Sequence, residues 1–526
     1  MTVLIRDYAV RLARTRGNDL AYAQQGRTLT WSQIYDRSAR LTHAMQSLGL
    51  HPGDRVAILS QDRIEMIEHW HACIHTGLVR IGINWRYSPR EIDHIVRDAD
   101  VRFILIQAEL VDHVRSHIDE WSHAGCIAVG YGDGHGLPYD YESLISESTA
   151  AFDIPHLSDE DPIAISYTSG TTGLPKGAVL TQIGAATQVV SSPYAGGFNS
   201  DDVILNNLPG SGFPIFIHTF GISSGAATVL PGRFDVAGTI DNVDRYQVTV
   251  MFVVPTMLNA IVQELHRQQR TLDSLRIVVM LGSPVVPEVI RRATEILSCT
   301  TFQNWYGSTE VTGAIVMERD LAAHLDSDGP APVGRPLLHV DVEIHDENDR
   351  CVEAGTAGEI CARGHLLSHY HQMPEETAQA FRNGWYHTGD VGYQDSLGRI
   401  HLTDRKKFMI VSGGYNVFPA VVENILAQHP AVGEVAVVGA PHEHWGEAVV
   451  AVVVLATNQQ ADAKTLIEYC RPRVGQWEVP QHVEFVDSLP IGTTGKIQKI
   501  ALSKRFHDHP ELLVWNTPSD AEALSH

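Results

Sequence analysis

Short apolar segments alternate with helix-periodic segments along the N-terminal third of the chain, and this alternation restricts the possible folds strongly. Thr30 can form a capping box with Gln33, and apolar residues then recur at helical spacing as far as Gly49. The segments Arg55–Leu59 and Arg102–Ile106 are typical of buried strands. Strands that alternate with helices form layered α/β domains around a largely parallel sheet, so the sequence predicts this fold class.

The chain has 526 residues, which exceeds the size at which a single hydrophobic core stops growing. After Val333 the pattern changes to strand periodicity with frequent turn residues, which indicates a small antiparallel β region. Another compact unit of helices and strands begins near Phe408. We therefore expect a large N-terminal domain of layered α/β sheets that includes the small β region, followed by a smaller α+β C-terminal domain.

The charge of the chain excludes several classes of partner. With 62 acidic and 39 basic residues the formal net charge is −23, so no general electrostatic surface for nucleic acid or an anionic membrane is expected. A polyanionic ligand must therefore be held by local groups. The sequence contains no run of about 18 uncharged apolar residues and no pattern typical of a signal peptide, so we expect a cytoplasmic protein without membrane insertion.

The cysteines and histidines show no spacing that is typical of a metal site. No CxxC pair occurs, which favours reduced thiols and argues against a disulfide framework or a zinc site. The six cysteines are Cys73, Cys126, Cys299, Cys351, Cys361 and Cys470. His71 and His75 have the i, i+4 spacing of a helical metal pair, but no third ligand accompanies them, so we expect them to pack in the core.

The segment YTSGTTGLPKGAVLT, Tyr167–Thr181, is the first candidate binding site. Its glycines allow backbone N–H groups to converge on an anion, and Lys176 and several hydroxyl groups can add to a phosphate site. It is not the usual P-loop, because Lys176 lies between Pro175 and Gly177 and no Ser or Thr follows it. Taken alone, a loop rich in Gly, Ser and Thr is more often an ordinary turn.

Four further segments can carry chemistry, although each also has a purely structural interpretation. NWYGSTE could stack an aromatic ring on a base and offer a carboxylate to a cation, or it could be a strand end. The aspartate of GWYHTGDVGY could bind a ribose diol or belong to a turn. The basic residues of DRKKFMIVSGGYNVFP and the lysine of LPIGTTGKIQK could be functional or simply exposed. The four segments are Asn304–Glu310, Gly384–Tyr393, Asp404–Pro419 and Leu489–Lys499.

Taken together and in this order, the five segments resemble the motifs of the adenylate-forming superfamily, and the resemblance covers nearly the whole chain. This superfamily contains acyl- and aryl-CoA ligases, peptide-synthetase adenylation domains and beetle luciferases. The resemblance implies that ATP, Mg²⁺ and CoA take part in the reaction. It assigns the phosphates of ATP to Thr168, Ser169, Gly170, Thr171, Thr172, Gly173 and Lys176.

The resemblance also implies roles for individual residues around the nucleotide. Tyr306 and Gly307 would contact adenine, Thr309 would touch the forming adenylate, and Glu310 would hold Mg²⁺ and take part in catalysis. Asp390 would bind the ribose, with Arg405 as its companion. LGSP resembles the glycine-rich wall of the adenine pocket, which assigns adenine contacts to Gly282, Ser283 and Pro284.

The same resemblance divides the chain into an N-terminal adenylation domain over residues 1–403, a hinge over 404–407 and a mobile C-terminal domain over 408–526. Lys407 would be the pivot, and Gly413 and Gly414 would enter the nucleotide site after the domain rotates. Lys496 would be the catalytic lysine, because its positive charge can stabilise the attacking carboxylate and the pentacoordinate phosphate.

These roles imply an acid–CoA ligase for a small aryl or medium acyl acid. We expect the acid to bind near Leu208–Gly221, where Gly212, Phe213 and His218 would line the pocket together with Gly282. The phenylalanines of this segment could equally form a core stripe. No acidic residue stands in the segment, which disfavours a substrate with an amino group.

Two alternatives stay open from the sequence. The acceptor of the acyl group could be the phosphopantetheine thiol of a carrier protein, or the chain could be a nucleotide-binding protein that has lost catalysis. The presence of Lys496, Glu310 and Asp390 argues against the second alternative. The sequence does not identify the acid or the oligomeric state.

Overall fold

The structure is a computed structural model that describes residues 4–168, 174–325, 331–365, 367–405, 408–412, 415–442, 445–456, 458–492, 497–513 and 515. Helices and strands are numbered in chain order. The helices are α1 (Ile5–Thr15), α2 (Trp31–Ser47), α3 (Ile64–Thr76), α4 (Pro89–Asp98), α5 (Ala108–His123), α6 (Tyr141–Glu147), α7 (Gln182–Gly196), α8 (Ile215–His218), α9 (Gly221–Ser224), α10 (Val236–Tyr246), α11 (Pro255–Gln268), α12 (Pro287–Ile296), α13 (Pro374–Ala380), α14 (Pro419–Leu426), α15 (Ala463–Cys470) and α16 (Lys499–Asp508).

The strands are β1 (Leu20–Gln24), β2 (Arg27–Thr30), β3 (Arg55–Ser60), β4 (Val79–Asn84), β5 (Val101–Gln107), β6 (Ile127–Tyr131), β7 (Tyr139–Asp140), β8 (Pro162–Thr168), β9 (Lys176–Thr181), β10 (Val203–Asn206), β11 (Ala227–Val229), β12 (Val250–Val253), β13 (Ile277–Leu281), β14 (Thr301–Ser308), β15 (Gly313–Glu318), β16 (Pro332–Pro336), β17 (Val340–His345), β18 (Gly358–Gly364), β19 (His369–Tyr370), β20 (Phe381–Arg382), β21 (Trp385–Gln394), β22 (Ile400–Arg405), β23 (Ile410–Ser412), β24 (Tyr415–Val417), β25 (Val432–His442), β26 (Gly446–Leu455) and β27 (His482–Phe485).

Two large sheets form the N-terminal part of the described chain. The first has the strand order β19-β9-β8-β4-β3-β5-β6-β7, and β8, β4, β3, β5 and β6 run parallel. The second has the order β17-β18-β21-β22-β16-β15-β14-β13-β12-β10-β11-β1-β2, with β20 paired to β21. Its strands from β11 through β14 are parallel, and those from β15 through β17 pair antiparallel. The predicted α/β layers and the predicted antiparallel region after Val333 are both confirmed.

Helix α3 lies between the two sheets, because it contacts β1 of the second sheet as well as β3 and β4 of the first. Every residue of this helix is buried. The His71 ring lies 3.3 Å from the Tyr22 hydroxyl, and the His75 ring lies 3.1 Å from the Ser38 hydroxyl. The expectation that the two histidines are packing residues is confirmed.

The C-terminal part has its own sheet and its own hydrophobic core. Strands β23 to β27 pair with one another, and helices α14, α15 and α16 cover the sheet. The two apolar clusters of this part draw their buried members only from residues that follow Lys407. The expected smaller α+β C-terminal domain is confirmed, while its boundaries, the hinge and its mobility stay predictions.

No helix among the described residues is both long enough and apolar enough to cross a membrane. The six cysteines are all free thiols, as the sequence predicts.

Candidate active site

A cavity of about 700 Å³ opens between the two large sheets. Its wall includes residues of β4 and β8 from the first sheet and residues of β13 and β14 from the second. The residues that line it fall into two chemical groups. The polar group includes Thr168, Lys176, Thr309, Glu310, Thr388 and Gly389, and the apolar group includes Leu208, Phe213, Ile217, Phe220, Leu281 and Trp305.

In the polar group, a carboxylate, three hydroxyl groups and an ammonium group face one cavity. Strands β8 and β9 place Thr168 directly opposite Lys176, so the ends of the Gly- and Thr-rich loop are fixed by strand pairing. The Glu310 carboxylate accepts hydrogen bonds from the Thr168 hydroxyl at 3.5 Å and from the Tyr370 hydroxyl at 3.4 Å. The Lys176 ammonium lies 3.8 Å from the Glu376 carboxylate. Oxygen donors of this kind suit Mg²⁺, and the ammonium suits a phosphate.

Two residues that are 84 positions apart meet at the ribose and adenine positions implied by the sequence. The Tyr306 hydroxyl donates to the Asp390 carboxylate at 2.8 Å, and both side chains are buried. Strand pairing also places Asp390 directly opposite Arg405, although the side chain of Arg405 lies outside the described residues. The structure therefore brings together the backbone positions of the three predicted nucleotide residues.

Gly307 and Gly282 shape the wall between these groups. A Cβ atom on Gly307 would lie 1.6 Å from the carbonyl oxygen of Gly313, so only glycine allows β14 and β15 to approach here. Gly282 follows β13 in a left-handed conformation with φ of +89° and lines the cavity. Ser283 and Pro284 are not among the described residues that line the cavity, so their contacts with adenine stay a prediction.

The apolar group shows which phenylalanines of Leu208–Gly221 line the pocket and which pack in the core. Phe213 and Phe220 line the cavity together with Gly212, whereas the Phe216 ring packs against Trp70 in the core at a centroid distance of 5.5 Å. The segment is thus partly a pocket wall and partly a core stripe. Gln188 and Gly313, which the sequence did not indicate, line the pocket beside Phe213. A Cβ atom on Gly313 would strike the side chains of Phe213 and Gln188, so the three residues are in close contact.

His218 lies behind the pocket wall, and its role as a lining residue stays a prediction. Its side chain is fully buried, and the described lining residues include its neighbour Ile217 but not His218. Its ring nitrogen Nε2 lies 3.2 Å from the Asn206 amide nitrogen and 3.7 Å from the Asp62 carboxylate. Within the short helix α8, Ile217 reaches the cavity while the next residue, His218, contacts this buried polar cluster.

Two buried charges that sequence reasoning missed fix the backbone beneath the pocket. Arg80 is buried in β4, and its guanidinium donates to the carbonyl oxygens of Gly210 at 2.8 Å and Ser211 at 3.5 Å. Asp62 accepts the N–H group of Gly210 at 2.8 Å. Burial lowers the pKa of Arg80 to about 10. The only indication of a buried Arg80 in the sequence is its position within the otherwise apolar strand pattern VRIGIN.

Several predicted site residues lie outside the described residues. They are Ser169, Gly170, Thr171, Thr172, Gly173, Lys407, Gly413, Gly414 and Lys496. Their roles stay predictions.

The chain matches the family model of the AMP-binding enzyme over residues 10–370 and that of the AMP-binding enzyme C-terminal domain over residues 421–496. The chain belongs to the AMP-binding enzyme family. The resemblance to the adenylate-forming superfamily is thereby confirmed.

Curated relatives match this AMP-binding enzyme along most of its length. The fatty acid–[acyl-carrier-protein] ligase ScoC of Streptomyces coeruleorubidus is 32% identical, with 92% of each chain covered. Feruloyl-CoA synthase of an Amycolatopsis species is 32% identical, with 95% of this chain and 98% of the relative covered. Indoleacetate–CoA ligase of Aromatoleum aromaticum is also 32% identical, with 90% of this chain and 92% of the relative covered.

Solved structures share the fold of this AMP-binding enzyme. ATP-bound MatB from Rhodopseudomonas palustris superposes with a TM-score of 0.87 at 26% identity, covering 96% of this chain and 99% of that one. The o-succinylbenzoate CoA synthetase MenE of Bacillus subtilis, in complex with its acyl-adenylate intermediate, superposes with a TM-score of 0.81 at 26% identity, covering 94% of this chain and 97% of that one.

Proposed function

We propose that this AMP-binding enzyme uses ATP to convert a carboxylic acid into an acyl-adenylate and then transfers the acyl group to the thiol of CoA. The observation that carries the proposal is the mixed lining of one cavity. Thr168, Lys176 and Glu310 offer groups that suit phosphates and a hard cation, while Phe213 and Trp305 offer aromatic surface. A reaction that joins a nucleotide to an apolar acid needs both kinds of wall in one space.

In the proposed first half-reaction, a carboxylate oxygen of the acid attacks the α-phosphorus of ATP. The new P–O bond forms as the bond to pyrophosphate breaks, and pyrophosphate leaves. Lys176 lines the cavity at the start of β9, where its ammonium group can bind phosphate oxygens and stabilise the developing charge. Lys496 is the proposed second positive charge. The protein therefore contributes mainly positioning and electrostatic stabilisation.

The residues around Glu310 fit a magnesium ion, because its carboxylate and the Thr168 hydroxyl lie 3.5 Å apart and both line the cavity. When bound there with ATP, Mg²⁺ neutralises phosphate charge. Glu310 and Thr168 would hold it, while Tyr370 donates to the Glu310 carboxylate and keeps it oriented. Burial raises the pKa of Tyr370 well above its ordinary value, so its hydroxyl stays a donor at neutral pH.

Asp390 and Tyr306 are the proposed nucleotide clamp. A carboxylate can accept both hydroxyl groups of a ribose, and the hydrogen bond from Tyr306 fixes the carboxylate in one orientation. The Thr388 hydroxyl, which lines the cavity, donates to the carbonyl oxygen of Ile360 and accepts from the N–H group of Asp390. The turn that carries Asp390 is therefore held before the nucleotide arrives.

In the proposed second half-reaction, the CoA thiolate attacks the carbonyl carbon of the acyl-adenylate. The C–S bond forms, the bond to the AMP oxygen breaks, and AMP leaves. Rotation of the C-terminal domain about Lys407 would withdraw Lys496 and admit the thiol. One cavity can serve both half-reactions by this exchange.

The pocket favours aryl or medium acyl acids without an amino group. Leu208–Gly221 contributes aromatic and aliphatic side chains to the wall and contains no acidic residue. The segment itself therefore offers no counter-charge to a substrate ammonium that is buried against Phe213. Feruloyl-CoA synthase and indoleacetate–CoA ligase, both named for aromatic acids, are among the relatives.

A carrier-protein thiol is a second candidate acceptor, because the relative ScoC is named as a fatty acid–[acyl-carrier-protein] ligase. Both acceptors end in phosphopantetheine, so the chemistry at the adenylate is the same. Replacing CoA by a phosphopantetheinylated carrier protein in the assay distinguishes them.

A panel of carboxylic acids tests the proposal. Benzoate-type acids, hexanoate, palmitate and phenylalanine are each incubated with ATP and Mg²⁺, and pyrophosphate release is measured before and after CoA is added. We expect acid-dependent pyrophosphate release and a thioester with CoA. Glu310→Gln should reduce the rate by about two orders of magnitude or more, whereas the exposed Glu375→Gln is the matched control. Release of pyrophosphate that is equal with and without any acid would contradict the proposal.

A further inference from the structure

Two histidines and a cysteine that are far apart in the sequence lie close together on three neighbouring strands of the second sheet. Cys361 in β18 lies directly opposite His387 in β21 and opposite Glu343 in β17. His345 follows Glu343 by two residues, so it lies on the same face of β17. The side chains of His345, Cys361 and His387 are all buried, and one potential ligand atom of each lies within 4.8 Å of the others.

The nitrogens of His345 are arranged as those of a metal-ligating histidine usually are. His345 Nε2 lies 2.9 Å from the Glu343 carboxylate, which accepts its proton and leaves the lone pair on Nδ1. The His345 Nδ1 atom is buried and has no hydrogen-bond partner among the described residues. A buried nitrogen without a partner costs free energy unless a ligand occupies it.

We propose that His345, Cys361 and His387 bind one transition-metal ion of the zinc type. His387 Nδ1 lies 3.4 Å from Cys361 Sγ, close to the separation of about 3.5 Å that two ligands of one tetrahedral zinc ion have. The Glu359 carboxylate lies 3.3 Å from the same nitrogen. On metal binding the Cys361 thiol releases its proton to solvent and the S–metal bond forms.

The donor set distinguishes this site from the magnesium position at Glu310. A thiolate and two imidazoles select zinc, copper or nickel over Mg²⁺, which prefers oxygen. The site therefore does not hold the ion that accompanies ATP.

The guanidinium of Arg382 competes with the metal ion for one of the proposed ligand atoms. Its guanidinium Nη2 lies 2.7 Å from His387 Nδ1, so it competes with a metal for that lone pair. The guanidinium is also held by Asp349, at 3.1 Å and 3.3 Å, and 39% of its side chain is exposed. It can therefore turn toward Asp349 and leave the nitrogen to the metal. Arg382 and His387 both line the cavity, so the metal site adjoins the wall of the candidate active site.

Cobalt(II) titration of the full chain tests the proposal, because a cobalt thiolate absorbs in the near ultraviolet and tetrahedral Co²⁺ absorbs in the visible. We expect one Co²⁺ per chain with both features, displaced by Zn²⁺ and unaffected by excess Mg²⁺. The chain contains 28 histidines, so surface binding of Co²⁺ is also expected, but it lacks the thiolate absorption. A titration that gives no thiolate absorption overturns the proposal.

Matched variants identify the ligands. Cys361→Ser should abolish the thiolate absorption, and His345→Ala should weaken Co²⁺ binding at least about tenfold. The exposed Cys299 supplies the control Cys299→Ser, which should leave the spectrum unchanged. Circular dichroism and thermal unfolding verify that each variant is folded. A thiolate absorption that persists in Cys361→Ser, or that disappears in the control, overturns the assignment.

Arg382→Gln provides an independent test, because it removes the competing cation without removing a ligand. We expect this variant to bind Co²⁺ at least several-fold more tightly than the unaltered protein. Equal or weaker binding would show that Arg382 does not compete for His387, and the proposed geometry would then be wrong.

Discussion

Replacing Arg80 should weaken binding of the acid without weakening binding of ATP. Arg80 does not line the cavity, but it holds the carbonyl groups of Gly210 and Ser211, which directly precede the wall residues Gly212 and Phe213. A hydrogen bond from a charged group contributes about 1.5 to 3 kcal/mol. If that free energy keeps the wall in its binding conformation, Arg80→Met should raise the KM for the acid by about 10- to 150-fold.

The assay is steady-state pyrophosphate release, with the acid and ATP varied separately. Arg80→Lys keeps the charge but has a single donor nitrogen, so its KM for the acid should lie between those of Arg80→Met and the unaltered protein. Arg276→Lys is the matched control, because Arg276 pairs with Asp202 and is not among the described cavity residues. The reasoning is refuted if Arg80→Met leaves the KM for the acid unchanged, or if the KM for ATP rises by the same factor.

Further perturbations have definite expected outcomes. Tyr306→Phe removes the hydrogen bond to the charged Asp390 carboxylate and should raise the KM for ATP by about 10- to 150-fold, with the KM for the acid unchanged as the internal control. Gly307→Ala should lower stability by about 1 to 3 kcal/mol in urea unfolding, because its Cβ would strike the Gly313 carbonyl, and an unchanged midpoint would contradict that contact. Lys496→Ala should slow adenylate formation by about two to three orders of magnitude, because it removes about 3 to 4 kcal/mol of transition-state stabilisation. Thioester formation from supplied acyl-adenylate should be unaffected, and an equal loss in both assays would refute the role of Lys496. Burial lowers the pKa values of three histidines in α3 to about 3 to 4, so the unfolded chain binds more protons than the folded chain below pH 6.5. The free energy of unfolding should therefore fall as the pH decreases from 6.5 toward 4, by about 1.4 kcal/mol per pH unit for each histidine. These histidines are His69, His71 and His75, and a Gln substitution at any one of them should reduce the slope.

The sequence predicted those features that depend on local pattern. The apolar segment Arg55–Leu59 became β3, and Thr30 and Gln33 form the predicted capping box. Motif residues such as Tyr306 and Asp390 were expected to serve one nucleotide, and the structure joins them by a hydrogen bond. The strand and the capping box were predictable because a short segment carries its own periodicity and capping residues, while the nucleotide roles of Tyr306 and Asp390 stay predictions.

Features that depend on strand pairing were not predictable. His345, Cys361 and His387 have no metal-ligand spacing in the sequence, and the absence of CxxC argued against a zinc site; only the register of three antiparallel strands places them together. His218 was expected in the pocket wall, and the sequence does not show that its ring contacts the buried Asn206 and Asp62. Arg80 was missed because nothing local distinguishes a buried arginine from an exposed one.

The most direct test of the central claim follows the carboxyl oxygen of the acid. An acid labelled with ¹⁸O in both carboxyl positions is converted with ATP and CoA, and the phosphorus-containing products are examined by mass spectrometry. Because the acid attacks the α-phosphorus and AMP later leaves with the bridging oxygen, the account predicts one ¹⁸O atom in AMP and none in pyrophosphate. Label in inorganic phosphate with ADP as the product, or no label in AMP, would contradict the acyl-adenylate and with it the proposed function.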